Sequence, residues 1–89
     1  MNYTITTQWK SLSQIMGNDY DNTKQYRVHD NVELPAILCM SEDAQPEGEG
    51  RKLPEFAEVY IEAGLNPSFK VQTCLGLQSG FNIYVSEVA

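Results

Sequence analysis

Few residues in this chain are of types that do chemistry, and they are scattered. His29 is the single histidine and is followed by Asp30; Cys39 and Cys74 are the two cysteines. Together they make a Cys/His/Asp set in composition. Nucleophilic catalysis needs the imidazole within hydrogen-bond reach of the thiol and a third group orienting it. No catalytic signature surrounds either cysteine, so His29 reads as a strand residue near a loop. Asp19-Tyr20-Asp21 opens like a calcium loop, but that pattern needs Gly at the sixth position and Glu at the twelfth. Here those positions hold Lys24 and Asp30, and Arg27 stands where a ligand would sit. A polar turn is expected instead. Two distant cysteines and one histidine also lack the paired short spacing of a zinc site. There is no glycine-rich phosphate loop either, since the carboxylates of Glu47-Gly48-Glu49-Gly50 would repel a phosphate. The sequence therefore predicts no cofactor, no metal and no enzymatic activity.

The carboxylates themselves are the distinctive feature. Ser41–Glu62 holds Glu42, Asp43, Glu47, Glu49, Glu55, Glu58 and Glu62, against only Arg51 and Lys52. The net charge is −6, and it is confined to the middle third of the chain. Residues 1–29 and 63–89 are close to neutral, while 30–62 add Asp30 and Glu33 to the seven acids above. Such a surface repels nucleic acid and anionic membrane, and it raises the association rate with basic proteins. The segment reads either as a solvated face or as a docking surface for a basic partner, and Tyr60 and Phe56 would supply aromatic anchors.

The composition suits a folded chain. At 89 residues it has room for one domain and one modest core. An apolar share of 42% with nine aromatics argues against disorder. The longest apolar run, Ala36–Met40, is far short of the ~20 residues that span a bilayer. The N-terminus shows no basic region followed by an apolar stretch, so a cytoplasmic address is expected. In that compartment both cysteines are expected as free buried thiols, with a disulfide as the alternative.

The elements that must carry this face follow from periodicity. Tyr3–Thr6 alternates as a short strand. Thr7 is placed to cap a helix over Gln8–Met16, with Trp9, Leu12, Ile15 and Met16 on one stripe and Gly17-Asn18 ending it. Asn18–Thr23 is a turn, and Gln25–Asp30 and Val32–Met40 read as strands, the latter interrupted by Pro35. Leu53–Asn66 supports two readings. As a strand it gathers Ala57, Val59, Ile61 and Ala63 on one face. As a helix it gathers Phe56, Val59, Tyr60 and Ala63, with Glu55, Glu58 and Glu62 opposite. Pro54, Gly64 and Pro67 stand where helix ends prefer them, so the helix is the preferred reading. Phe69–Leu75 and Phe81–Val85 alternate around Gln78-Ser79-Gly80 and read as an antiparallel hairpin.

The expected fold is therefore α+β: a small antiparallel sheet of about five strands with one or two short helices on one face. A ferredoxin-like arrangement is the nearest common architecture. Residues 1–89 form one domain, with a flexible acidic loop over 41–52. Phage-encoded inhibitors of nucleic-acid machinery, anti-CRISPR proteins among them, have this general size and charge, an analogy of class with no motif behind it. The charge segregation leads to the expectation of a small non-enzymatic binding module, an inhibitor or nucleic-acid mimic, that docks a basic protein through its acidic face. The partner-binding residues would be Glu42, Asp43, Glu47, Glu49, Glu55, Glu58, Glu62 and Tyr60. The alternatives are an assembly subunit, homo-oligomeric through the edge of Val32–Met40, and an enzyme using a reactive thiol.

Overall fold

The alternation in Gln25–Asp30 becomes a strand whose Tyr26, Val28 and Asp30 are buried and whose Gln25, Arg27 and His29 face outward. The same period of two governs most of the molecule. A computed structural model describes residues 1–33, 35–43, 46, 48, 50–73 and 81–88. Among these, the strands are β1 (Asn2–Ile5), β2 (Lys10–Ser11), β3 (Gln25–Asp30), β4 (Ile37–Ser41), β5 (Arg51–Lys52), β6 (Glu58–Ile61), β7 (Ser68–Gln72) and β8 (Phe81–Val88). One short helix, α1 (Leu12–Met16), runs into a 3₁₀ turn over Gly17–Asp19.

The strands form two four-stranded antiparallel sheets, ordered β1-β8-β3-β6 and β2-β7-β4-β5. Both sheets share the bent N-terminal segment. Between β1 and β2 the chain stays on β7, where the Val71 amide donates to the Thr6 carbonyl at 2.9 Å. On the far side, β6 ends the first sheet and β5 ends the second. The result is an open barrel, continuous through residues 2–11 and parted between β5 and β6. Its interior holds Ile5, Val28, Ile83 and Val85 from the first sheet against Leu38, Phe69 and Val71 from the second. Each such side chain contributes about 1.5–3 kcal/mol by leaving water.

One sheet of about five strands in a ferredoxin-like arrangement is thus corrected to two sheets of four. Three local differences explain the change. Gln8–Ser11 does not join the helix, because Lys10 and Ser11 pair with Phe69 and Ser68 of β7. Ser11 then caps α1 in place of Thr7, through a capping box in which the Gln14 side-chain oxygen accepts from the Ser11 amide. The Leu12 amide, unpaired at a helix start, donates to the Pro67 carbonyl at 2.7 Å.

The segment Leu53–Asn66 is not a helix. Glu58–Ile61 pairs antiparallel with β3, and the residues that signalled helix ends make turns instead. The Ala57 amide closes a turn on the Pro54 carbonyl, and Leu65 closes another on Glu62, with Gly64 at φ +88° inside it. The strand alternative is the one realised, with Val59 and Ile61 turned toward the core. Finally, β7 and β8 are strands as expected but do not pair. β7 lies between β2 and β4, and β8 lies between β1 and β3. From β7 to β8 the chain passes from the second sheet to the first. The turn Gln78-Ser79-Gly80 and Cys74 fall outside the described residues.

The strand expected over Val32–Met40 begins only at Ile37, after a turn at Pro35 and Ala36. It pairs with β7 along its length, and β5 pairs with its Cys39 and Met40 on the other side. No helix among the described residues is long and apolar enough to cross a membrane.

Gly50 fixes the path of the acidic loop where it returns to the second sheet. Its φ is +69°, and a Cβ there would lie 2.6 Å from Trp9 Cη2 and 2.8 Å from the Met40 carbonyl oxygen. Left-handed backbone alone costs a non-glycine residue about 1–2 kcal/mol, and the carbonyl cannot swing aside as a side chain would. Gly50→Ala is expected to destabilise the fold by at least about 2 kcal/mol in denaturant titration. Gly64→Ala, with open space around its Cβ position, should cost only the left-handed term, about 1 kcal/mol.

Candidate functional site: the seam between β5 and β6

The acidic segment begins where β4 ends. Glu42 and Asp43 are exposed. The Asp43 amide donates to Ser41 Oγ at 3.3 Å, and Ser68 Oγ donates to the Asp43 carbonyl at 2.8 Å. Glu47 and Glu49 lie outside the described residues. Between them, the Gly48 carbonyl accepts from the Trp9 indole Nε1 at 3.0 Å. Trp9, expected on the helical stripe, instead packs against Gly50, and Lys70 Nζ sits 4.8 Å from the centre of its ring. This cation–π contact and the indole hydrogen bond fasten the loop at Gly48 and Gly50.

The remaining carboxylates gather around β6 in an order set by the strand. Glu58, Tyr60 and Glu62 are all exposed, at alternate positions, while Glu55 lies in the preceding turn. The three glutamates therefore do not share one helical face, and Tyr60 stands between two of them rather than opposite them. Tyr60 is 66% exposed. Cross-strand pairing with β3 places Arg27 beside Tyr60 and His29 beside Glu58, with His29 Nδ1 3.5 Å from Glu58 Oε1. Tyr84 and Ser86 of β8 continue these rows. Residue type alone does not single out Arg27, His29 or Tyr84 as members of this face. Their signal was the alternation itself, since each follows or precedes a buried strand residue.

Behind β6 lies a groove of about 290 Å³, lined by Met40, Glu42, Arg51, Val59, Tyr60, Ile61, Leu65 and Pro67. It is the gap where the barrel fails to close. Its walls are largely apolar, with Glu42 and Arg51 as the charged groups of its lining; Arg51 reaches the Met40 sulfur at 3.5 Å. Leu65, 55% exposed, continues the apolar lining toward solvent. Sequence periodicity could not find Met40, Leu65 or Pro67 together, because the gap between two sheets brings them there.

The turn leading into β6 is strained. Phe56 sits at φ +62°, in a conformation that glycine usually supplies, and is 62% exposed. For a bulky side chain this costs about 1–2 kcal/mol, and the ring recovers little of it by burial. Beneath the turn, buried Asp30 holds the Val32 amide through Oδ1 at 2.7 Å, and its own amide donates to the Ala57 carbonyl at 2.9 Å. Burial pushes its carboxyl above the ordinary value of 3.8; Glu55 pushes the same way, and the Val32 amide and His29 oppose.

The other chemical candidates are taken up elsewhere. Cys39 is fully buried in the second sheet, while His29 faces outward from the first, so the two do not meet. Asp19 Oδ2 accepts from the Tyr3 hydroxyl at 2.9 Å, and burial and this bond push Tyr3 up to about 12. Asp21 Oδ1 accepts from both the amide and hydroxyl of Thr23, which holds its carboxyl below the ordinary value. These carboxylates organise the 19–23 turn. Among the described residues no group of three or more His, Cys, Asp or Glu is placed to hold a metal ion.

No known protein family matches the chain, and comparison with characterised proteins and with solved structures finds no match.

Asp30 gives a test of how the entry to β6 is held. A carboxyl whose folded-state pKa is raised favours the folded state when protonated, so its ionisation costs stability as pH rises through the raised value. Asp30→Asn should therefore be at least as stable as the parent at pH 7, with the difference closing as pH falls toward 3.8. Denaturant titrations at pH 7 and pH 4.5 would read this. An equal loss of stability at both would contradict it.

Proposed function

We propose that the protein is a non-enzymatic binding module that docks a basic partner protein along β6 and the adjoining groove. What carries this reading is Tyr60, exposed on the last strand of its sheet between the carboxylates of Glu58 and Glu62. Aromatic residues placed centrally on a surface are the usual anchors of protein interfaces. The flanking carboxylates supply attraction to cations and penalise anionic partners. Phe56 supports the same reading, because strain held at an exposed aromatic brings no packing in return.

A basic partner that handles nucleic acid fits the charge best, since carboxylates at alternate strand positions can occupy sites meant for phosphates. In this reading the module acts in the cytoplasm and inhibits by occupancy. The wider acidic set, Glu42, Asp43, Glu47, Glu49 and Glu55, steers approach, while Glu58, Tyr60 and Glu62 make the close contact. Self-assembly through β6 is disfavoured. Antiparallel pairing of two copies centred on Tyr60 would set Glu58 directly against Glu62.

The test is capture of partners by the parent protein and by a Glu58→Lys/Glu62→Lys variant, at low and high salt. The parent should retain a basic protein at low salt and release it at high salt, and the variant should fail to retain it. Identical capture by both would overturn the reading. Phe56→Gly separates binding from folding. It should leave stability unchanged or raise it by about 1 kcal/mol, while weakening retention.

A further inference from the structure

We infer that the partner contributes an extended basic segment, which adds as a strand to the free edge of β6 and fills the seam of the open barrel. The inference rests on the docking reading above and specifies its chemistry. It begins with the hydrogen-bond parity of β6. The Asp30 amide bonds the Ala57 carbonyl, and the register then pairs Val28 with Val59 and Tyr26 with Ile61. In an antiparallel ladder, hydrogen-bonded pairs alternate with non-bonded ones. The amides and carbonyls of Val59 and Ile61 therefore point to β3, and those of Glu58 and Tyr60 point the other way. No strand among the described residues lies on that side. The Glu62 carbonyl is already taken by the Leu65 amide, which limits the open ladder to Glu58, Tyr60 and the Glu62 amide.

The side chains around this edge set the sequence of the occupant. An added antiparallel strand would place two residues opposite Glu58 and Glu62, on the outer face, where lysine or arginine is favoured. The residues opposite Val59 and Ile61 would turn inward, toward the groove lined by Met40, Leu65 and Pro67. The expected pattern is a cation, an apolar residue, any residue, an apolar residue and a cation. Main-chain bonds then supply affinity, and alternate side chains supply selectivity, as in other strand-addition complexes. A second copy of this chain is a poor occupant, because Glu58 would face Glu62 across the pairing.

The test uses a fluorescent synthetic peptide carrying Lys-Val-Thr-Val-Lys flanked by short neutral residues. Its binding is measured by anisotropy beside two controls: the same peptide N-methylated at the amides facing β6, and a scrambled peptide of identical charge. The parent peptide should bind at least tenfold more tightly than either control. Glu58→Lys/Glu62→Lys should abolish binding. Tyr60→Pro, which removes an amide facing the open edge and not one facing β3, should weaken it at least tenfold. If all three peptides bind equally and lose affinity with Glu58→Lys/Glu62→Lys, strand addition is overturned while acidic docking stands. If none binds, or if the protein instead dimerises with concentration in light scattering, strand addition by a basic segment is overturned as well. Should Tyr60→Pro fail to fold, the N-methylated peptide alone decides the question.

Discussion

The two sheets depend on one bent segment of backbone. Residues 2–11 pair with β8 at one end and β7 at the other, and the bond between the Val71 amide and the Thr6 carbonyl keeps the chain on β7 across the bend. A strand that serves both sheets brings their apolar faces together at one side without a separate connection. It also leaves the opposite side unshared. There the two sheets end in β5 and β6, and no strand among the described residues joins them. The groove is thus a consequence of how the barrel begins.

That geometry gives the acidic segment a structural role that its charge alone does not. With no second neighbour among the described residues, β6 keeps backbone groups available, and unpaired edges invite association with other chains. Charged residues on an edge are a common protection against self-pairing. Glu58 and Glu62 meet that requirement, and the same charges favour a cationic strand over an anionic or identical one. In the proposed docking, exclusion of self and attraction of a basic partner would both follow from one placement of carboxylates.

The period of two was readable wherever one face is buried, which is why β1, β3, β7 and β8 could be found from residue pattern. Pairing was not readable. The alternation of Phe69–Leu75 and Phe81–Val85 is the same whether two strands neighbour each other or lie in separate sheets, and the choice rests on long-range contacts that no local pattern encodes. The error at Leu53–Asn66 has a different origin. Proline and glycine mark chain reversals as well as helix ends, and here Pro54 and Gly64 serve turns on either side of a four-residue strand. With Glu and Ala between them, short-range propensity favoured the helix, and the register offered by β3 outweighed it. The exposed carboxylates were legible by composition. Their arrangement about Tyr60 and a groove was not, because it required knowing that the segment is a terminal strand.

In the proposed docking, the free edge of β6 is where a partner's backbone binds. Residue-resolved amide hydrogen exchange, with and without the alternating basic peptide, tests this most directly. The Glu58 and Tyr60 amides should exchange quickly in the free protein and become protected on binding, while Val59 and Ile61, already bonded to β3, change little. Protection confined to other parts of the molecule, with Glu58 and Tyr60 unaffected by a bound peptide, would contradict it.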